Sequence, residues 1–206
     1  MAYYHEYGSS YGQEYPGESC QEELGRPPCE GPYEMPPETY RKQESRMLPR
    51  LPQGQVVKLF CKSNPDYSLG VRDGQVMLVY YNPSDPTQQW IKDDSWSNRV
   101  RDAVGHPSFC LVNKATGQAL CHAQAACQEV LLARYEAGSF DEDVMWTESE
   151  DMGYGFRTIR MANNIGLNLD AFQGDRKHGG IREGTRAVLW TWNKQDNQLW
   201  KINPCY

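Results

Sequence analysis

At 206 residues the chain can hold one domain with a single core, and its formal charge of −6 includes no basic run of the kind that neutralises phosphates. Nucleic acid is therefore excluded as an expected primary ligand, and the absence of an apolar run of spanning length argues against membrane insertion. Apolar residues are unevenly spread: residues 1–50 contain no Val, Ile, Phe or Trp and carry −4 of the charge (nine Glu against five Lys plus Arg), leaving −2 for the remainder.

In chain order, residues 1–52 read as a disordered tail rich in Tyr, Glu, Pro and Gly, too poor in apolar surface to offset the entropy of ordering. Its spaced tyrosines, Tyr3, Tyr4, Tyr7, Tyr11, Tyr15, Tyr33 and Tyr40, suit weak self-association or phosphorylation, or mark a simply flexible segment. Met1–Tyr7 is neither basic nor followed by an apolar stretch, so no secretion signal is expected. The cysteines, Cys20, Cys29, Cys61, Cys110, Cys121, Cys127 and Cys205, are odd in number and irregular in spacing, which favours free thiols in a reducing compartment. A metal held by Cys121, His122 and Cys127 would lack any paired Cys-x-x-Cys spacing and a fourth ligand, so no metal and no cofactor is expected.

Residues 53–206 say one thing three times, over about 55–100, 105–152 and 154–206. Each copy closes on a Trp: Gln88-Gln89-Trp90, Val144-Met145-Trp146 and Gln198-Leu199-Trp200. Each Trp follows a Phe set among strand formers, Phe60, Phe109 or Phe156. The first copy predicts strands at Val56–Cys61, Tyr67–Val71, Gln75–Val79 and Gln89–Lys92, with Arg72-Asp73-Gly74 and Asn82–Pro86 as turns. The second predicts Phe109–Asn113, Gln118–His122, Val130–Tyr135 and Met145–Glu148, although Ala119–Leu132 is also rich in helix formers. The third predicts Phe156–Met161, Gly166–Asp170, Ala187–Trp192 and Leu199–Ile202. A supersecondary unit that cannot bury its apolar face alone must stack on its copies, so this is an all-β chain forming a β-trefoil: a short barrel of two strands per unit, capped by three hairpins. The three Trp, with the Phe that opens each unit, are expected in the shared core, and Gln88 and Gln198 are expected to bond backbone within their own units.

The closing motif resembles the ricin-B-type lectin repeat, whose mark is Gln-x-Trp, kept at Trp90 and Trp200 and lost at Trp146. The text between resembles the Euonymus-lectin family of plant nucleocytoplasmic lectins, in Phe60-Cys61-Lys62, Asp66–Leu69, Gln89–Asp93, Leu111–Gly117 and, most closely, Arg160–Ile165, Leu169–Phe172, Gly174-Asp175, His178–Gly180 and Val188–Trp190. It covers about Gln55 to Tyr206. It implies a single trefoil that binds glycans or glycoproteins containing galactose or mannose without hydrolysing them. It also implies a cytoplasmic and nuclear location and a role in stress or defence signalling.

Sugar recognition needs a carboxylate or amide fork for vicinal hydroxyls and an aromatic plate for the C–H face of the ring. In the third repeat Asp170 ends a strand, Trp190 lies on the next and Asn197 precedes the closing motif, the order used in similar lectin repeats. Asn193 is a further candidate for a hydroxyl contact and Gln198 for orienting Asp170. Trp190 is the expected plate with Trp192 the alternative, one of the two being expected in the core and the other outside. Asp170 could instead cap a turn. The stretch Phe172–Thr185 would rim the site or form a solvated loop. Gly70 and Cys121 or His122 stand where Asp170 does, so the other copies offer at most weaker contacts through Tyr80, Tyr81 and Gln88 or Tyr135 and Asp143. The competing function is a protein-interaction adaptor for a signalling partner, with a vestigial sugar site. No nucleophile elbow, metal motif or phosphate loop suggests an enzyme, and the acidic runs Asp141–Asp143 and Glu148–Asp151 read as solvated surface.

Overall fold

The computed structural model describes residues 51–205, so all but the end of the expected tail lies outside the described residues. Twelve strands follow one another: β1 (Gln55–Cys61), β2 (Tyr67–Arg72), β3 (Gln75–Tyr80), β4 (Trp90–Asp93), β5 (Ser108–Asn113), β6 (Gln118–Cys121), β7 (Leu131–Arg134), β8 (Trp146–Glu148), β9 (Ile159–Met161), β10 (Leu167–Ala171), β11 (Thr185–Thr191) and β12 (Trp200–Pro204). Among the described residues the helical pieces are short 3-10 turns, and the helix formers of Ala119–Leu132 are divided between β6 and β7. Cross-strand pairing outweighs their helical propensity there.

Antiparallel pairs β12–β1, β1–β4, β4–β5, β5–β8 and β8–β9 run round a ring that the Arg157–Trp200 bridge closes, so no barrel edge is left open. Each repeat gives this barrel its first and last strands. The middle strands form the hairpins β2–β3, β6–β7 and β10–β11, and β3 also pairs with β11 at Leu78 and Met77. The β2–β3 turn shows the local chemistry: Arg72 pairs with Gln75, and Asp73 and Gly74 between them have φ of 50° and 76°. Two positive φ values in a two-residue loop match the twist of the flanking strands, and Asp-Gly supplies them at low cost.

The core carries the threefold repeat in one contact. Trp90, Trp146 and Trp200 are fully buried, and their indole N–H groups donate to the carbonyls of Leu69, Leu120 and Leu169, each at 2.9 Å. An indole buried without that acceptor would leave an unpaired donor, so the three bonds fix each closing strand against its own hairpin. The opening phenylalanines do not follow suit. Phe109 is in the core, whereas Phe60 and Phe156 are only partly buried. Strand alternation explains Phe60: Val57, Leu59 and Cys61 point inward, which turns Phe60 to the outer face. Phe156 lies ahead of β9, whose inward residues are Ile159 and Met161. Cys61, Cys110, Cys121 and Cys205 are free thiols, as expected.

Candidate functional site

The third hairpin sets the candidate site by register. Asn168 faces Trp190 and Asp170 faces Val188 across β10–β11, while Leu169 between them points into the core. Alternation therefore places Asn168, Asp170 and Phe172 on one face, together with Val188 and Trp190. Trp192 shares the parity of Trp190, so the expected division between core and surface does not occur: both indoles are half-buried and neither is in the core. Trp192 lies beyond the end of β11, whereas Trp190 lies on it, beside Asp170.

Asn197 reaches the same place from the 3-10 turn Asp196–Gln198 ahead of β12. Its Nδ2 donates to Asp170 Oδ1 at 3.0 Å and to the Ala171 carbonyl at 3.1 Å. Its Oδ1 is buried and has no hydrogen-bond partner. Gln198, fully buried, clamps the hairpin end: Oε1 accepts from the Asn193 amide at 2.8 Å and Nε2 donates to the Thr191 carbonyl at 3.0 Å. Gln88 does the same in the first repeat, accepting from the Asn82 amide and donating to the Tyr80 carbonyl, as the sequence suggested. The Asn193 side chain is exposed and its Oδ1 accepts from the Gln195 amide, so it sits beside the site as a turn former.

Sequence reasoning expected an accessible, ionised fork at Asp170, and the structure differs on both counts. Asp170 is 2 % exposed. Burial pushes its pKa from 3.8 up to about 8, partly offset by hydrogen bonds from Gln198 and Asn197 and reinforced by the negative charge of Asp175. At neutral pH it is predominantly the neutral acid, which offers one donor and one acceptor rather than two acceptors.

Phe172 opens the stretch that the sequence reading expected to rim the site. Phe172 and Trp190, which strand register places on the same face as Asp170, pack against each other with ring centroids 6.1 Å apart at 49°. An aromatic two places after Asp170 was the available signal. The following turn is stiffened by Asp175, whose Oδ1 accepts from the Lys177 amide and whose Oδ2 contacts His178 Nδ1 at 2.7 Å. Burial alone would raise the Asp175 pKa, but these bonds hold it below the usual value.

Neither of the other repeats has a carboxyl at the same position, where Gly70 and Cys121 stand. At Gly70 a Cβ would lie 2.9 Å from Val79 Cγ2 and 3.2 Å from Gln88 Cγ. In the second repeat His122 is buried with Nε2 3.0 Å from the Glu142 carbonyl, and the Tyr135 hydroxyl is engaged by Asp93. By register Val79 stands at the place of Trp190, and the exposed Tyr80 at that of Thr191.

A threefold barrel with a hydrogen-bonding pair and an aromatic on one hairpin is the architecture of a trefoil carbohydrate-binding domain. The comparisons make the assignment particular. The chain is 52 % identical over 169 residues to Ricin B-like lectin EULS3 of Arabidopsis thaliana, covering 80 % of this chain and 53 % of that protein. It is 53 % identical over 156 residues to Ricin B-like lectin R40G3 of Oryza sativa subsp. japonica, covering 76 % of each. The chain belongs to the ricin B-like lectin family, in agreement with its resemblance to the Euonymus lectins, and it spans only about half the length of the Arabidopsis relative. Among solved structures, Macrolepiota procera ricin B-like lectin in complex with lactose superposes with a TM-score of 0.55 at 17 % identity, over 75 % of this chain and 99 % of that one. No family model matches the chain.

Proposed function

We propose that this lectin binds neutral hexoses of galactose- or mannose-containing glycans at its third repeat. Asp170 and Asn197 would meet a pair of vicinal hydroxyls, and Trp190 would cover the apolar ring face. The carrying observation is the Asn197 amide oxygen, buried, without a hydrogen-bond partner, on the group that holds Asp170. A buried acceptor left unpaired costs about 1–3 kcal/mol, and a sugar hydroxyl donating to it would remove that cost. Gln198 positions the pair by holding the hairpin end, and Asn193 lies near enough to add a hydroxyl contact. Because Asp170 is only 2 % exposed, neighbouring groups must move aside as the sugar enters.

The domain acts by binding, without hydrolysis, in the cytoplasm and nucleus, within stress or defence signalling. This part of the reading rests on the resemblance and on relatives that are all named lectins. The test is glycan-array and calorimetric binding of the full chain against Trp190→Ala and Asn197→Ala. Each substitution should weaken binding of neutral glycans by about tenfold or more, about 1.4 kcal/mol. Unchanged binding in both variants would refute the site and leave the adaptor reading in its place.

A further inference from the structure

On the outer face of the barrel, where the first and third repeats join, lies a second hollow of about 660 Å³, within the size range of small-ligand sites. Its floor is the outward row of β1, with Lys58 and Phe60, and Asn203 stands opposite Lys58 on β12. Tyr81, Gln89 and Lys114 form the rim, and among the described residues no Asp or Glu lines it.

Lys58 is the unusual group. Only 6 % of its surface is exposed, yet among the described residues its ammonium meets no carboxylate: it donates to the Pro83 carbonyl at 2.9 Å and lies 4.7 Å from the centre of the Tyr81 ring. A cation taken out of water beside a carbonyl and a ring is poorly compensated, and an anion in the hollow would complete it. Lys114 repeats the pattern at the rim, donating to Gln89 Oε1 at 2.9 Å and likewise forming no ion pair among the described residues. An ammonium has three donors, so both lysines retain donors for a ligand. The Tyr81 ring is held edge-on against Phe60, centroids 5.2 Å apart at 67°, which fixes an exposed aromatic plate next to the two charges.

One buried and one exposed cation, neither ion-paired among the described residues, a fixed aromatic face and the neighbouring amides of Gln89 and Asn203 fit a pyranose that carries a negative group. We propose that this hollow binds an acidic saccharide unit, a uronate or a sulfated hexose, with Lys58 and Lys114 meeting the anion and Tyr81 the ring face. It shares no residue with the third-repeat site and selects by charge, where that site selects by hydroxyl geometry.

Calorimetry on the full chain with a galacturonate trimer, with galactose 6-sulfate and with methyl galactoside tests this. At least one acidic ligand should bind with an affinity that falls steeply as salt is raised from about 50 to about 500 mM. Lys114→Gln should weaken that binding by about tenfold, the size of one charge-assisted bond, and Trp190→Ala should leave it unchanged. The two acidic ligands distinguish a carboxylate site from a sulfate site. Lys58→Met keeps the packed stem and should abolish the binding; should that variant fold poorly, Lys114→Gln on the exposed rim remains decisive. Absence of binding by both acidic ligands, indifference to Lys114→Gln, or loss in Trp190→Ala would overturn the proposal.

Discussion

Replacing Asp170 by Asn tests the electrostatics of the third-repeat site without changing its shape. The group is 2 % exposed, and burial moves its pKa from 3.8 to about 8. Between those values the folded state holds a proton that the unfolded chain has released. The contribution is therefore fully present below about pH 4 and is lost as pH rises through about 8. Inside that window each pH unit removes about 1.4 kcal/mol, so between about pH 5 and pH 7 the wild type should lose about 3 kcal/mol relative to Asp170→Asn. For a domain of this size that is a difference of about 6–12 °C in Tm. The Asn side chain still presents an oxygen to Asn197 Nδ2, so the hydrogen bond at Oδ1 survives the substitution. Thermal unfolding of both proteins across this range is the assay. Only the difference between them is read, because the remaining groups titrate alike in the two. Parallel curves, with no gap widening toward higher pH, would refute the argument that burial dominates at Asp170.

Three further substitutions probe the surroundings. Phe172→Ala removes the ring packed against Trp190 on the face that carries Asp170; by admitting water there it should let the Asp170 pKa fall toward its ordinary value, seen by carboxyl NMR titration, and the pH-dependent gap just described should narrow. Arg160→Met leaves the buried Asp102 carboxylate, which accepts from Arg160 at 2.8 Å and from Thr147 at 2.8 Å, without its cation; denaturant unfolding should show a loss of about 3–5 kcal/mol. Gly70→Asp copies the third-repeat acid into the first repeat, but its Cβ would lie 2.9 Å from Val79 Cγ2. It should therefore destabilise by about 1–3 kcal/mol and create no new neutral-glycan binding in calorimetry.

The fold was legible because its strongest local signal coincides with its strongest buried contact. The spacing of Trp90, Trp146 and Trp200 marks three units, and each indole bonds a leucine carbonyl in its own hairpin at one distance. Period-2 alternation and Asp-Gly chemistry located the strands between. The same approach placed Phe60 and Phe156 in the core because a Phe recurs near each unit's start. Position within a strand, not recurrence, decides which way a side chain points, and Leu59 and Ile159 occupy the inward places. Ala119–Leu132 was ambiguous for a related reason, since helix propensity is local whereas the β6–β7 pairing arises from the threefold arrangement.

The arrangement of the candidate site was legible as far as offsets from Trp200 reach. Asn197 lies three residues before that Trp, and Asp170 follows Leu169, whose carbonyl the Trp200 indole engages, so the anchor that builds the unit also brings the acid to the amide. The protonation state of Asp170 was hidden because it depends on burial, which the folded surroundings set and the local sequence does not. The unlike fates of the three lobes follow from the same anchor. The indole bonds hold whatever residue comes after each leucine, so fold stability places no demand for an acid at Gly70, Cys121 or Asp170. At Gly70 the space is filled by Val79 and Gln88, and a buried carboxyl there would carry its desolvation cost without gaining an amide partner. In the third lobe Asn197 supplies that partner and leaves one acceptor unspent. A buried polar pair that the fold does not need, held together yet incompletely bonded, is best accounted for by a ligand that completes it.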